Sequence, residues 1–359
     1  MGVPAGYNVG LGLLRIWLAF AVVAVHCYSP ECSFPNGQPW YMELFCTGPG
    51  HWAVPAFIIM AFLFAGRRFE SPEGRWLGRR LWRLYYPLVF WAVVIILLNR
   101  NLSGGALPDA QWRWHDSATW RALGIHLVGG SWIENEQQTW FLGTLIWLTP
   151  VLWLLAKLVP RRWHALLWSS LFMFAVAMQY TGLNHAVFGP LVKWEFGIGC
   201  PAERFLEMMP YACIGLLAYP YWRRRSEMKP WELLLVAGFF IGCFLLFVYY
   251  PLFQPAPGFC YSGLGLVAIA VAAVGAMGLL PFERLPAPVT GAIASVARYT
   301  MGVYLVHNVI GEILYVYFFP RIGWQGRPIS AVAVIFVLSW VFCWLIGRIP
   351  SRWARDLVE

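Results

Sequence analysis

The stretch from Leu233 to Tyr250, LLLVAGFFIGCFLLFVYY, runs for eighteen residues without a charge on any helical face. A strand of a membrane barrel alternates in polarity over about ten residues, and a surface helix of a soluble protein keeps a polar stripe. This segment does neither, and AVAVIFVLSWVFCWLIG, from Ala331 to Gly347, has the same character. Both read as helical spans surrounded by lipid or by other helices. The composition extends the point to the whole chain of 359 residues, with 60% apolar residues, 12% charged residues and a mean hydropathy of +0.60. A soluble domain carries about 25% charged residues. Collagenous, disordered, coiled-coil and ordinary soluble folds are therefore excluded. The expected fold is all-α, that of a polytopic membrane protein with the lipid bilayer as its first partner.

A hydrocarbon core of about 30 Å takes about 20 helical residues. On that ruler ten candidate spans follow, from Leu11 to Tyr28, Trp52 to Gly66, Pro87 to Leu102, Thr139 to Val159, Ala165 to Leu183, Phe205 to Pro220, Trp231 to Tyr250, Ser262 to Leu280, Ala297 to Phe319 and Ala331 to Gly347. Residues 1–359 are expected to form one integral-membrane domain, with no soluble domain at either end. Lys and Arg collect in cytoplasmic loops. Eighteen of the 26 basic residues fall on one side of these spans, seven on the other, and Arg15 lies inside the first. That bias puts both termini in the cytoplasm. The net charge of +9 is thus a topology signal. Nucleic acid, which would want one basic soluble face, is not an expected partner. Residues 1–10 carry no Lys or Arg and no cleavage pattern follows, so the first span is expected to be retained.

Five of the eight cysteines (Cys27, Cys32, Cys46, Cys200 and Cys260) fall at or beyond the outer face, where disulfides are permitted. A bridge between Cys32 and Cys46 would close a loop of about fifteen residues, worth roughly 3 kcal/mol. Cys200 and Cys260 are a second candidate pair. No Cys-x-x-Cys or Cys/His zinc spacing occurs, so no metal is expected. Trp112, Trp114, Trp120 and Trp132 in the outer segment before Gln138 suit an interfacial amphipathic stretch or a platform for stacking sugars.

Ionisable residues within apolar spans mark function. Arg15 and His26 are eleven apart, about 20° past three full turns, so they share one face of the first span at about 16 Å along its axis. In the cytoplasmic stretch RWLGRRLWRLYYP, Arg75, Arg79, Arg80 and Arg83 precede Pro87. Spacings of three and four let one helical face present a guanidinium fork, which suits phosphate. His307 and Glu312 sit in the ninth span, His307 sharing a face with Val303 and Gly311, and Glu312 turned about 140° away. His51, at the outer start of the second span, is a further candidate.

The Arg-x10-His of LLRIWLAFAVVAVH, the Arg-x-x-Arg of RRLWRLYYP, the TWFLGTLIW of the fourth span and the SVARYTMGVYLVH of the ninth resemble the membrane-bound acyltransferase-3 family in order and spacing. The resemblance covers the ten-helix body. It implies a transferase that moves an acyl group, most often acetyl, from cytoplasmic acetyl-CoA to an extracytoplasmic sugar hydroxyl, as in O-acetylation of exopolysaccharide, O-antigen or peptidoglycan. It puts the family's essential histidine at His26, its companion arginine at Arg15, and its Arg-x-x-Arg at Arg80 and Arg83. PAFIIMAFLFAG stands where the family usually has Phe-Phe-x-x-Ser-Gly-Phe, so no residue is carried over from the second span. With no appended hydrolase domain after the tenth span, transfer is expected to finish within the membrane body.

The expected donor substrate is acetyl-CoA, its phosphates held by Arg80 and Arg83 with Arg79, and no metal takes part. His26, with Arg15 along its face, meets the acyl group, and His307 orients the acceptor or stabilises the oxyanion. The acceptor is a polysaccharide or lipid-linked glycan at a bacterial inner (plasma) membrane. Two routes stay open, with His26 either as general base on the attacking hydroxyl or as the group that carries the acyl itself. A transporter or exporter of a polysaccharide, in which Arg15, His26 and His307 line a permeation path, is the rival reading. There Pro55 and Pro210 would break helices. A noncatalytic scaffold is a third.

Overall fold

In a computed structural model, the apolar runs fold into helices and no strand occurs among the described residues, which are 7–26, 52–102, 124, 140–180, 199–249, 264–280, 282–323 and 328–358. The α-helices are α1 (Val9–His26), α2 (Ala53–Glu70), α3 (Gly74–Leu102), α4 (Trp140–Leu158), α5 (His164–Tyr180), α6 (Gly199–Arg223), α7 (Pro230–Tyr249), α8 (Leu264–Leu279), α9 (Ala287–Arg298), α10 (Thr300–Ile313), α11 (Pro328–Arg348) and α12 (Arg352–Val358). Helix starts follow local chemistry. Asn8 caps α1 by accepting the Leu11 N–H at 2.8 Å, and its amide donates to the Gly278 carbonyl at the end of α8 at 2.9 Å. At α7, Pro230 opens the helix and the Glu232 carboxylate reaches back to the Lys229 N–H at 2.7 Å, one half of a capping box.

Every expected span lands on a helix where it is described, but length and composition narrow the crossings. Among the described residues, α1, α4 and α11 (over Ser330–Arg348) are long and apolar enough to cross a membrane alone, and α9 with α10 makes a fourth as a bent pair. The apolar parts of α7 and α8 are shorter, over Pro230–Gly242 and Gly265–Leu279. Apolar side chains point outward from α5 (Leu166, Met173, Phe174), α7 (Leu234, Leu235, Phe239) and α11 (Val337, Leu345), each more than half exposed. Bands like these suit lipid rather than water.

The helix breaks that the transporter reading called on, at Pro55 and Pro210, do not occur. Pro55, Pro210 and Pro87 all lie inside continuous helices, and α3 runs unbroken from the arginine stretch through Pro87. The ninth span, expected to start at Ala297, is joined at that end by α9, and a 56° bend separates α9 from α10 at a residue that is neither Gly nor Pro. Tyr299, at the joint, takes φ −97° and ψ 7°, and Thr300 ties the joint by donating its hydroxyl to the Ala297 carbonyl at 2.9 Å. The Tyr299 ring lies against Gly347 of α11, where a Cβ would stand 2.7 Å from the ring. Packing of that ring on a neighbouring helix holds the bend.

The chain forms two compact units. In the first (residues 1–66 and 211–359), α1 runs among α8, α9, α10 and α11, α7 pairs with α8, and α12 packs on α10 and α11. Its core joins Ala19, Val23 and Ala24 of α1 with Val303, Phe319, Ala331, Val332 and Ile335. In the second unit (residues 67–210), α3 packs on α4. There His164, at the start of α5, closes the end of α4 with Nε2 at 3.0 Å from the Ala156 and Val159 carbonyls. Arg204 pairs with the buried Glu207 in the same unit and lies 5.4 Å over the Trp140 ring.

Candidate active site

Within the first unit, α1 and α10 bring two histidines together. His26, at the end of α1, and His307, in the middle of α10, have ring centroids 5.3 Å apart and planes tilted by 49°. His307 is wholly buried, and His26 is partly exposed. The Nδ1 of His307 lies 3.1 Å from the Val303 carbonyl oxygen. A carbonyl only accepts, so this nitrogen carries the proton in the neutral ring and Nε2 keeps the lone pair. Nε2 is buried with no hydrogen-bond partner. The helix itself thus selects the tautomer, through a carbonyl one turn back that every α-helix provides at this spacing.

Aromatic rings wall the pair. Tyr304, three residues before His307 and on the same side of α10, has its ring 6.3 Å from the imidazole, and Phe57 of α2 meets Tyr304 edge-on at 6.4 Å. Beneath lies the apolar core around Ala24 and Val303. Two imidazoles beside an apolar core, one ring buried and one partly exposed, form a setting in which a ring nitrogen can take or give a proton. The sequence pointed to both histidines, but not to Tyr304, Phe57 or the Val303 carbonyl. The spacing of three between Tyr304 and His307 was the one available signal for the tyrosine.

Arg15 lies on α1 within electrostatic range of Tyr7, whose buried hydroxyl packs against Gly12. An apolar cavity of about 790 Å³ lined by Trp17, Phe20, Phe240 and Met277 also borders α1. The α1 residues lining it point to the other side of the helix from Arg15 and His26, so it is no part of the histidine site. Glu312 is partly exposed on α10. His51, Cys32, Cys46, Cys260 and the four outer tryptophans lie outside the described residues, as does the side chain of Cys200.

In the second unit the arginine fork opens unevenly. Arg80 turns inward, with Nε 3.4 Å from the Thr149 hydroxyl of α4 and its guanidinium 5.5 Å over the Trp76 ring. Arg79 and Arg83 are exposed, and Arg79 donates to the Arg75 carbonyl at 3.4 Å. Burial, with the nearby positive charge of Arg83 adding to it, holds the Arg80 pKa below the usual guanidinium range. Two cations drawn this close suit an anion that can accept from both. Among the described residues no cluster of three His, Cys, Asp or Glu side chains is grouped to hold a metal.

A family model described as an acyltransferase domain matches residues 8–348. The chain belongs to the acyltransferase-3 family. It is therefore a transferase of the acyltransferase class, in a family whose members are membrane proteins, and the apolar helices fit that setting. Comparison with curated proteins and with solved structures gave no match. The match runs from the cap of α1 to the end of α11, so the histidine pair and the arginines of this acyltransferase all fall inside it.

Proposed function

We propose that this acyltransferase moves an acyl group, most simply acetyl, from acyl-CoA to a sugar hydroxyl of a polysaccharide or lipid-linked glycan on the outer side of a bacterial inner membrane. The observation that carries the reading is the pairing of His26 with His307 at 5.3 Å in a chain of the acyltransferase family. His26, the more accessible ring, acts as general base on the acceptor hydroxyl. As the hydroxyl oxygen bonds to the acyl carbon, its proton passes to His26, the carbon–sulfur bond breaks, and the proton goes on to the leaving thiolate. His307 orients the site, and Arg15 supplies positive charge along the same helix. Arg80 and Arg83, with Arg79 beside them, are the donor's phosphate ligands, because guanidinium groups bind phosphate by paired hydrogen bonds. The basic side of the chain faces the cytoplasm, where acyl-CoA is made.

The test uses the full chain in lipid nanodiscs with acetyl-CoA labelled in the acetyl group and a glycan acceptor. Wild type transfers label, and His26→Ala binds the donor but transfers none. A wild type that neither binds acetyl-CoA nor depends on His26 would overturn this reading in favour of a polysaccharide exporter.

A further inference from the structure

The face of α1 turned away from Arg15 and His26 is tightly packed at one end and open further along. Near its N-terminus α1 is clamped to α8: Gly10 takes the Met277 carbonyl where a side chain would stand, and the Asn8 amide holds the Gly278 carbonyl at 2.9 Å. In turn α7 presses on α8, with the Phe240 ring against Gly275. Among α1, α7, α8 and α11 the apolar cavity of about 790 Å³ stays open, and α8 turns the short side chains of Ala272, Ala273 and Ala276 toward it. Its α1 wall runs from Leu13 to Phe20, about 10 Å, and Phe20 meets Phe336 of α11 edge-on at 5.6 Å.

Every side chain lining this space is apolar, and their only heteroatoms are the indole nitrogens of Trp17 and Trp52 and the Met277 sulfur. A buried water needs two to four polar partners, so water has no hold here, and apolar cavities take apolar guests. The volume lies in the range of sites that enclose a ligand. Two lining residues mark the opening: Trp17 of α1 is 46% exposed and Ile241 of α7 is 45% exposed. Leu234, seven residues before Ile241 and so on the same stripe of α7, belongs to the outward apolar band that suits lipid. The cavity is thus continuous with the lipid-facing surface. We propose that it holds one acyl chain of a bilayer phospholipid, which enters sideways between Trp17 and Ile241. The prenyl chain of a lipid-linked acceptor would sit on the far side of α1 from His26, so the geometry favours the bilayer's own lipid. That chain completes the packing behind the helix that carries His26. The inference does not depend on the acyl-transfer reading.

The test counts the phospholipids that stay on the full chain after extraction from membranes into detergent, read by native mass spectrometry. Ala273→Phe, whose ring occupies the cavity, is expected to carry one phospholipid fewer than wild type. Leu234→Phe, which alters the lipid-facing band outside the cavity, should carry the wild-type number. Melting of the same samples gives a second readout. Stripping lipid with excess detergent should lower the melting temperature of wild type and leave that of Ala273→Phe in place, because the ring already fills the space. Equal phospholipid counts in wild type and Ala273→Phe, or a wild type that retains none, would overturn the proposal. A retained mass that matches a prenyl lipid in place of a phospholipid overturns it as well, in favour of the acceptor's chain. If Ala273→Phe does not fold, Ala273→Leu, a smaller filling of the same space, takes its place with the same expected loss.

Discussion

Replacing Arg80 with alanine should separate donor binding from folding, because its contacts to Thr149 and Trp76 are weak. A bond of 3.4 Å to Thr149 is at the edge of hydrogen-bond range, and a guanidinium 5.5 Å over Trp76 at a partly exposed site is worth about 0.5–1 kcal/mol. Together these two contacts contribute about 1 kcal/mol to folding. A hydrogen bond to a charged phosphate is worth about 1.5–3 kcal/mol. Since each 1.36 kcal/mol is a factor of ten, Arg80→Ala should weaken CoA binding about 10- to 150-fold. Arg80→Lys keeps the charge and loses the fork, and should fall between wild type and alanine. Thr149→Val removes the hydroxyl but leaves the guanidinium, and should change CoA affinity less than Arg80→Lys does. Calorimetric titration of CoA into nanodisc-held protein reads affinity, and tryptophan-monitored melting reads stability. Unchanged CoA affinity in Arg80→Ala, or a loss of stability that accounts for all the lost binding, would refute the assignment of this arginine to the donor.

Further expectations concern the frame that holds the site. Gly302→Val places methyl groups where Cys343 and the Val358 carbonyl already lie and should cost about 1–3 kcal/mol, seen as a lower melting temperature in detergent; unaltered melting would mean α12 gives way without cost. Asn8→Ala removes the α1 cap and its tie to Gly278 and should destabilise by about 1–2 kcal/mol, while Asn8→Asp, which keeps the cap alone, should recover part of that. If both variants melt alike, the cap is not what holds that end. Glu207→Ala leaves Arg204 without its buried carboxylate and should cost about 3 kcal/mol. The double variant Glu207→Ala with Arg204→Met should regain stability, and failure to regain it would show that the pair is not coupled.

The helical class of this chain is written in its apolar runs, because a segment such as Leu233 to Tyr250 can satisfy its backbone in lipid only as a helix. What the runs do not encode is where a helix changes direction. Prolines 55 and 210 were the breakers that the transporter reading called on, yet each sits inside a helix, and the bend came at Tyr299, whose ring packs on Gly347 of the neighbouring α11. Such a cause is tertiary and leaves no local trace. The site divides in the same way. The shared face of Arg15 and His26 follows from 100° per residue, and both lie on α1 as that arithmetic requires. The meeting of His26 with His307 needed α1 and α10 to pack, which no spacing within either helix reveals. The fork was half legible. Its arginines are on one helix, but Arg80 turns toward Thr149, a partner on a different helix of the same unit.

The 18 residues of α1 make a rod about 27 Å long, fastened at one end by Asn8 to α8 and carrying His26 at the other. Its two ends are locked in phase, so the residue count between them is fixed even where side chains can vary. Losing any one residue between Asn8 and His26 would swing the histidine by about 100° around the axis, off the face that meets His307, while leaving the cap in place. Adding seven would bring it back to within about 20° but push it about 10 Å past its partner. Apolar swaps along the rod alter neither quantity. Evolution can therefore rewrite the letters of α1 far more freely than it can change their number.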